Sequence, residues 1–298
     1  MRDEIRKLQE LMETADYVTD APIATSVHLA MRLRKPLLIE GPAGVGKTEV
    51  AKVMARMLGT NLIRLQCYEG LDASTALYEW NYQKQLLHIK LEEGGHNSRP
   101  MDEKEHEIFS EPFLLRRPLL QAITQESQSP VLLVDECDRS DEEFEAFMLE
   151  VFSDWQVTIP EIGTIKATHP PHVILTSNRT RELSDALRRR CLYLWIDYPS
   201  LEKETRIIAR KVPGIDARLS REISKFMETL RQVRLAKVPG VAETLDWAQA
   251  LAALHADHLD EPILAETLGC LLKDADDMKR FRAEVAKAGL GSFLTART

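Results

Sequence analysis

Residues 41–48 read Gly41-Pro42-Ala43-Gly44-Val45-Gly46-Lys47-Thr48. The spacing is G-x-x-x-x-G-K-[ST], a pattern that cradles phosphate. Its three glycines let the backbone bend until successive N–H groups point at one anion. Lys47 would add a point charge to the β- and γ-phosphates, and the Thr48 hydroxyl a ligand for Mg²⁺. Context separates such a loop from a glycine-rich turn that binds nothing. Pro36 to Glu40 reads as a short buried strand, and Glu49 to Leu58 as an amphipathic helix stopped by Gly59. A strand, a glycine loop and a helix start together aim a helix dipole at phosphate.

Three further positions could do chemistry. Asp135-Glu136 ends the apolar run Val131-Leu132-Leu133-Val134, at the carboxyl end of a strand, where open α/β sheets bind ligands. Asp135 would hold Mg²⁺ through its water shell, and Glu136 could polarise an attacking water. The bland alternative is an acidic helix cap. Asn178 follows Leu175-Thr176-Ser177, where a short amide could fix that water beside a γ-phosphate; alone it would read as a turn residue. Arg188-Arg189-Arg190 end a helix before the last strand. They suit a solvated basic face, or one of them an arginine finger for a neighbour's nucleotide.

The elements that must position these groups alternate. Strands are expected at 36–40, 62–66, 130–134, 172–177 and 192–196, most of them continuously apolar. Strands buried on both faces, with helices between, mean a doubly wound, mainly parallel α/β sheet. A helix over 1–16 with apolar Ile5, Leu8, Leu11 and Met12 precedes a second one from Pro22 to about Leu33. Residues 141–155 are helical, and Val157 to Thr168 forms a hairpin turning at Glu161-Ile162-Gly163. Residues 67–112 read as a loop-rich insertion, with aromatic Tyr68, Tyr78, Trp80 and Tyr82 and an acidic stretch from Asp102 to Glu111. Those aromatics suit a partner surface or plain packing equally. After Pro199 the chain reads as a second, helical domain.

Bulk properties exclude some classes. The 298 residues are 44% hydrophobic and 29% charged, with net charge −8, an ordinary soluble composition without the basic excess of a dedicated nucleic-acid binder. The cysteines Cys67, Cys137, Cys191 and Cys270 form no C-x-x-C pair. His255 and His258 lack a third ligand and read as a solvated helix face. No apolar run approaches the roughly 20 residues that span a bilayer. The charged start is unlike a signal peptide, and a cytoplasmic setting is expected.

Taken together, the phosphate loop, Val131–Glu136, the hairpin, Asn178 and an arginine before the last strand resemble an AAA+ ATPase. The hairpin and the insertion after the second strand resemble the MoxR family. Tyr78-Glu79-Trp80-Asn81-Tyr82 and Glu243-Thr244-Leu245-Asp246-Trp247-Ala248 are similar to its carbon monoxide dehydrogenase maturation (CoxD-like) branch. The resemblance implies an ATPase core over 1–199, with the insertion at 67–112 and the hairpin near 156–168, and a helical lid over 200–298. It implies that Gly41, Pro42, Ala43, Gly44, Val45, Gly46, Lys47 and Thr48 form Walker A, and Asp135 and Glu136 Walker B. Asn178 becomes sensor 1, Arg190 the finger, and Val18 a backbone lining of the adenine pocket. It further implies ATP and Mg²⁺ as cofactors, a ring of like subunits, a hexamer, and a protein client such as a metalloenzyme. A partner bearing a von Willebrand factor A domain would serve as adaptor. A nucleic-acid motor and a nucleotide-gated scaffold are the alternatives. One departure stands out: the family's sensor 2 arginine should lie near 242–245, where this chain has Ala242-Glu243-Thr244-Leu245.

Overall fold

The structure, a computed structural model, describes residues 2–93, 100–289 and 291–294. Helices α1 (Arg2–Thr14) and α2 (Ala21–Leu33) lead into strand β1 (Leu37–Glu40), followed by α3 (Lys47–Leu58) and β2 (Leu62–Gln66). Then come α4 (Ala73–Leu77), β3 (Tyr78–Trp80), α5 (Tyr82–Glu93), α6 (Met101–Ile108), β4 (Leu114–Arg116), α7 (Pro118–Ile123) and β5 (Val131–Asp135). Helix α8 (Glu142–Asp154) precedes the antiparallel ribbon of β6 (Gln156–Ile159) and β7 (Gly163–Lys166). Strand β8 (His172–Ser177), α9 (Asp185–Arg190) and β9 (Leu192–Trp195) follow. The remaining elements are α10 (Leu201–Lys211), α11 (Ala217–Leu230), α12 (Val241–Ala253), α13 (Glu261–Thr267), α14 (Ala275–Ala288) and α15 (Gly291–Leu294).

The main sheet has five strands in the order β2-β5-β8-β1-β9. Its pairs β2–β5, β5–β8 and β8–β1 are parallel. This is the α/β sheet expected from continuous apolar strands: every residue of β1 and β5 is buried. The register levels the carboxyl ends, because Gln66 faces Asp135, Val134 faces Leu175, and Glu40 faces Ser177. No helix among the described residues is long and apolar enough to cross a membrane.

Two expectations change. Residues 67–112 are largely helical rather than loop-rich. The reason is visible in α5, whose Leu86, Leu87 and Leu91 are exposed, so the sequence shows no single apolar face. Trp80 is buried with its ring edge-on to Tyr78 and Phe109, whereas Tyr82 is exposed. Of the acidic stretch, the Asp102 side chain lies outside the described residues. In α1, Leu8 and Met12 are buried but Leu11 faces outward.

The chain forms two compact units, neither continuous in sequence. One comprises Met1–Ile5, Ala21–Glu40 and Ala51–Leu194; the other comprises Arg6–Asp20, Gly41–Val50 and Trp195–Thr298. The first is built on the sheet, with core residues such as Leu132, Val134, Met148 and Leu175. The second is built around Phe226, Trp247 and Phe281. Within it Arg231 clamps Glu204 through two bonds, Nη1 to Oε2 at 2.6 Å and Nη2 to Oε1 at 2.7 Å. The Thr244 hydroxyl donates to Glu204 Oε1 at 2.7 Å, and the guanidinium lies 4.7 Å from the Tyr198 ring centre.

Both charges are almost wholly buried, so removing one strands the other. Arg231→Met should cost about 3–5 kcal/mol in denaturant unfolding. Arg231→Met combined with Glu204→Met should recover much of that loss. A single variant as stable as wild type would show the pair is not holding the helical unit.

Candidate nucleotide-binding site

The chain leaves β1 at Glu40 directly into the glycine loop. Gly44 and Gly46 take φ of +75° and +92°, which side-chain-bearing residues rarely adopt. A Cβ on Gly46 would meet nothing within 4 Å, so the loop is open there to an approaching anion. Lys47 opens α3, placing its ammonium at a helix N-terminus. That ammonium is buried and donates to the carbonyls of Gly41 at 2.8 Å and Pro42 at 2.6 Å. Val45 is buried, Thr48 half-buried, and Ala43 exposed. Val18, in the link that follows α1, is buried.

The same unit brings the start of α12 onto this loop. Val241 N and Ala242 N donate to Gly44 O at 2.9 and 3.2 Å. A Cβ on Gly240 would stand 2.7 Å from Ala43 O and 2.8 Å from Gly44 Cα. Glu243 caps the helix by accepting from Gly240 N at 2.8 Å, and its Oε2 would lie 3.1 Å from a Cβ on Gly44. Where the resemblance calls for an arginine, the loop therefore meets helix backbone and a carboxylate.

The sheet unit gathers the second group of residues at the level strand ends. Asp135 is buried; its Oδ1 accepts from Thr176 Oγ1 at 2.6 Å, and its Oδ2 from Arg64 Nε and Nη2 at 3.0 and 2.6 Å. Glu136 has left-handed backbone, φ 56° and ψ 47°, and its N–H donates to Thr176 Oγ1 at 2.9 Å. Its Oε2 accepts from Gln66 Nε2 at 3.1 Å and pairs with Arg139 Nε at 3.0 Å. Asn178 leaves β8 half-buried. Next to it Arg179 Nε lies 3.7 Å from buried Glu40, which also accepts from the Tyr193 hydroxyl at 3.0 Å. Burial first, and that bond to Glu40, hold the Tyr193 phenol above its ordinary value.

Arg190 lies at the end of α9 and is exposed. Its Nη1 donates to Leu149 O at 2.8 Å and Ser153 Oγ at 2.9 Å, on α8. Three of the cysteines, Cys67, Cys137 and Cys191, are unsuited to nucleophilic or redox work. Burial pushes Cys67 and Cys191 up to about 12 and raises Cys137 well above its usual value. His258 pairs with the adjacent Asp257, both exposed.

Sequence reasoning had not found Arg64, Gln66, Thr176, Gly240 or Glu243. A signal existed for two of them. Arg64 and Gln66 interrupt an otherwise apolar strand, and pairing puts Gln66 opposite Asp135. Nothing in the sequence tied Gly240 to Gly44.

A family model described as AAA domain (dynein-related subfamily) matches residues 36–191, just over half of the chain. The chain belongs to this family. The match begins ahead of β1 and ends just before β9, so it contains the glycine loop, Asp135-Glu136, Asn178 and Arg190. An uncharacterized protein of Staphylococcus epidermidis is 24% identical over 228 residues, 74% of this chain and 78% of that protein. One from Staphylococcus haemolyticus is 24% identical over 220 residues, 72% of this chain and 74% of that one. Among solved structures, a mutant of RuvB from Thermotoga maritima superimposes with a TM-score of 0.51 at 19% identity. It covers 89% of this chain and 73% of that one, a likeness of fold.

The approach of Gly240 to Gly44 leaves no room for a methyl group. Gly240→Ala should push the loop and α12 apart. ATP affinity should fall by at least ~10-fold, which is about 1.4 kcal/mol, and the clash with backbone should also lower thermal stability without nucleotide, by about 1–3 kcal/mol. Calorimetry showing unchanged affinity would mean that the contact does not shape the loop.

Proposed function

We propose that this chain hydrolyses ATP with Mg²⁺ and works as a ring of like subunits, a hexamer by its resemblance to MoxR ATPases. Its task would be to remodel or mature a protein client, such as a metalloenzyme. The observation that carries the reading is the end of β5. There, two successive carboxylates are held in different ways, Asp135 by side chains of the neighbouring strands β2 and β8 and Glu136 by Gln66 of β2.

The donors fit the implied groups. The open glycine loop, its helix start and Lys47 suit a polyphosphate. Thr48 and Asp135 offer oxygen donors, the preference of Mg²⁺. Both oxygens of Asp135 already take protein hydrogen bonds, so this residue would hold the ion through water. The ion would spread the negative charge of the β- and γ-phosphates. Glu136 would take the proton of the attacking water, with Gln66 and Arg139 holding its carboxylate and Asn178 placing the water. Val18 would line the adenine pocket through its backbone. Arg190 would reach a neighbour's nucleotide, which requires its guanidinium to turn from the end of α8. Residues 200–298 would act as the lid, signalling through the Gly44–Gly240 contact in place of a sensor arginine. Client choice would fall to an adaptor with a von Willebrand factor A domain. Exposed Tyr82 suits that contact better than buried Trp80.

Glu136→Gln keeps size and hydrogen bonding but cannot accept a proton. ATP binding should stay near wild type by calorimetry while turnover falls at least ~10²-fold. Turnover within a few-fold of wild type would remove Glu136 from the chemistry. Stimulation by DNA instead of by client and adaptor would favour the nucleic-acid motor.

A finger supplied in trans is worth roughly 10³–10⁵ in rate. Arg190→Ala should therefore bind ATP yet barely turn it over, and wild-type activity per chain should climb with protein concentration. A fully active monomer would exclude the ring reading. Equal losses from Arg188→Ala or Arg189→Ala would reassign the finger.

A further inference from the structure

Away from the strand ends, His88 and Glu92 on α5 and Glu107 on α6 bring one ring nitrogen and two carboxylate oxygens within 4.8 Å of one another. His88 and Glu92 are four residues apart and share one helix face. His88 Nε2 stands 3.4 Å from Glu107 Oε1 and 3.8 Å from Glu92 Oε1. Hydrogen bonds from nitrogen to oxygen run about 2.7–3.2 Å, so neither contact is one. The Nε2 atom is itself buried and has no hydrogen-bond partner. Nitrogen and oxygen ligands of tetrahedral zinc sit at about 2.0–2.2 Å, hence about 3.3–3.6 Å from each other. The histidine nitrogen thus keeps the distance of a fellow ligand from Glu107, and nearly so from Glu92.

The helices are already held in place for such a site. Buried Gln85, one turn before His88, donates through Nε2 to Ile108 O at 2.6 Å, fixing the end of α6 against α5. Lys84 Nζ donates to Pro112 O at 2.8 Å, and the His88 ring lies edge-on to Phe113 at 5.3 Å between centres. The three ligand side chains are each partly exposed, which leaves a side from which an ion and a water can enter. Imidazole with carboxylate is a donor set suited to zinc.

We propose that His88, Glu92 and Glu107 bind one divalent transition-metal ion, zinc, with water as fourth ligand. The ion pins α6 to α5 and fixes the insertion. This does not depend on the nucleotide reading. The alternative is a metal-free histidinium paired with both glutamates.

The test uses the full chain stripped of metal and free of nucleotide, with excess Mg²⁺ present, titrated with Zn²⁺ by calorimetry. One saturable equivalent per chain is expected. His88→Gln and Glu107→Gln keep side-chain size and should each weaken it at least ~10-fold, the lower end of what even outer-shell changes cost a metal site. Zn²⁺ should raise the melting temperature of the wild type and not of the variants. ATP affinity should be the same in all three proteins. Co²⁺ in the wild type should give the intense visible bands of a four-coordinate ion, a readout that needs no variant to fold. Absence of saturable Zn²⁺ binding, or equal affinity in wild type and both variants, would overturn the site.

Discussion

One buried hydroxyl joins the ends of the adjacent strands β5 and β8. Thr176 donates to Asp135 and accepts from the N–H of Glu136, so donor and acceptor are both used. The second bond matters because Glu136 has left-handed backbone, which costs a residue with a Cβ roughly 1–2 kcal/mol. A buried N–H left without a partner would add about 1–3 kcal/mol. Thr176 removes that second cost and so lets the chain turn sharply after Asp135. The turn separates the fates of two neighbouring carboxylates. Asp135 stays buried against Arg64, whereas Glu136 swings toward Gln66 and Arg139.

That arrangement explains what could be read from the sequence. The glycine loop is eight contiguous residues, and the strands before it, before Glu136 and before Asn178 each contain an apolar run, so motif and element are local signals. Asp135, Glu136 and Asn178 stand out as candidates for that reason. Arg64, Gln66 and Thr176 do not, because their roles come from parallel register between segments far apart in sequence. The β6–β7 ribbon was legible from Gly163, which takes φ +98° at the turn. Helix α5 was hidden because its leucines point in several directions, several of them outward. Apolar periodicity reports burial, and this helix buries little.

The boundary of the helical part was legible as composition but not as contact. A break at Pro199 follows the change from alternating strands to helices. By contact, however, Gly41–Val50 and Arg6–Asp20 group with the helical segment. Ion pairs account for part of this: Glu13 bonds Arg206 and Arg210, and Asp16 meets Arg210 and Lys211. Charged residues that look like a solvated face in a list become cross-links once α10 lies alongside.

The glycine loop groups there for a different reason, the backbone contact at Gly44. Two N–H groups from the first turn of α12 converge on one carbonyl, and only glycine at 240 permits the approach. The helix start brings positive partial charge to the loop, and Glu243 brings a full negative one. Glu243 is tied to its own cap through Gly240 N. An arginine in its place would attract a phosphate directly; a carboxylate cannot. On the proposed reading, a movement of the loop on taking up an anion would be passed to α12 through peptide geometry, and like charge would oppose close approach of the phosphates to Glu243. On the same reading, α12 would respond to loop position instead of binding the nucleotide's terminal charge.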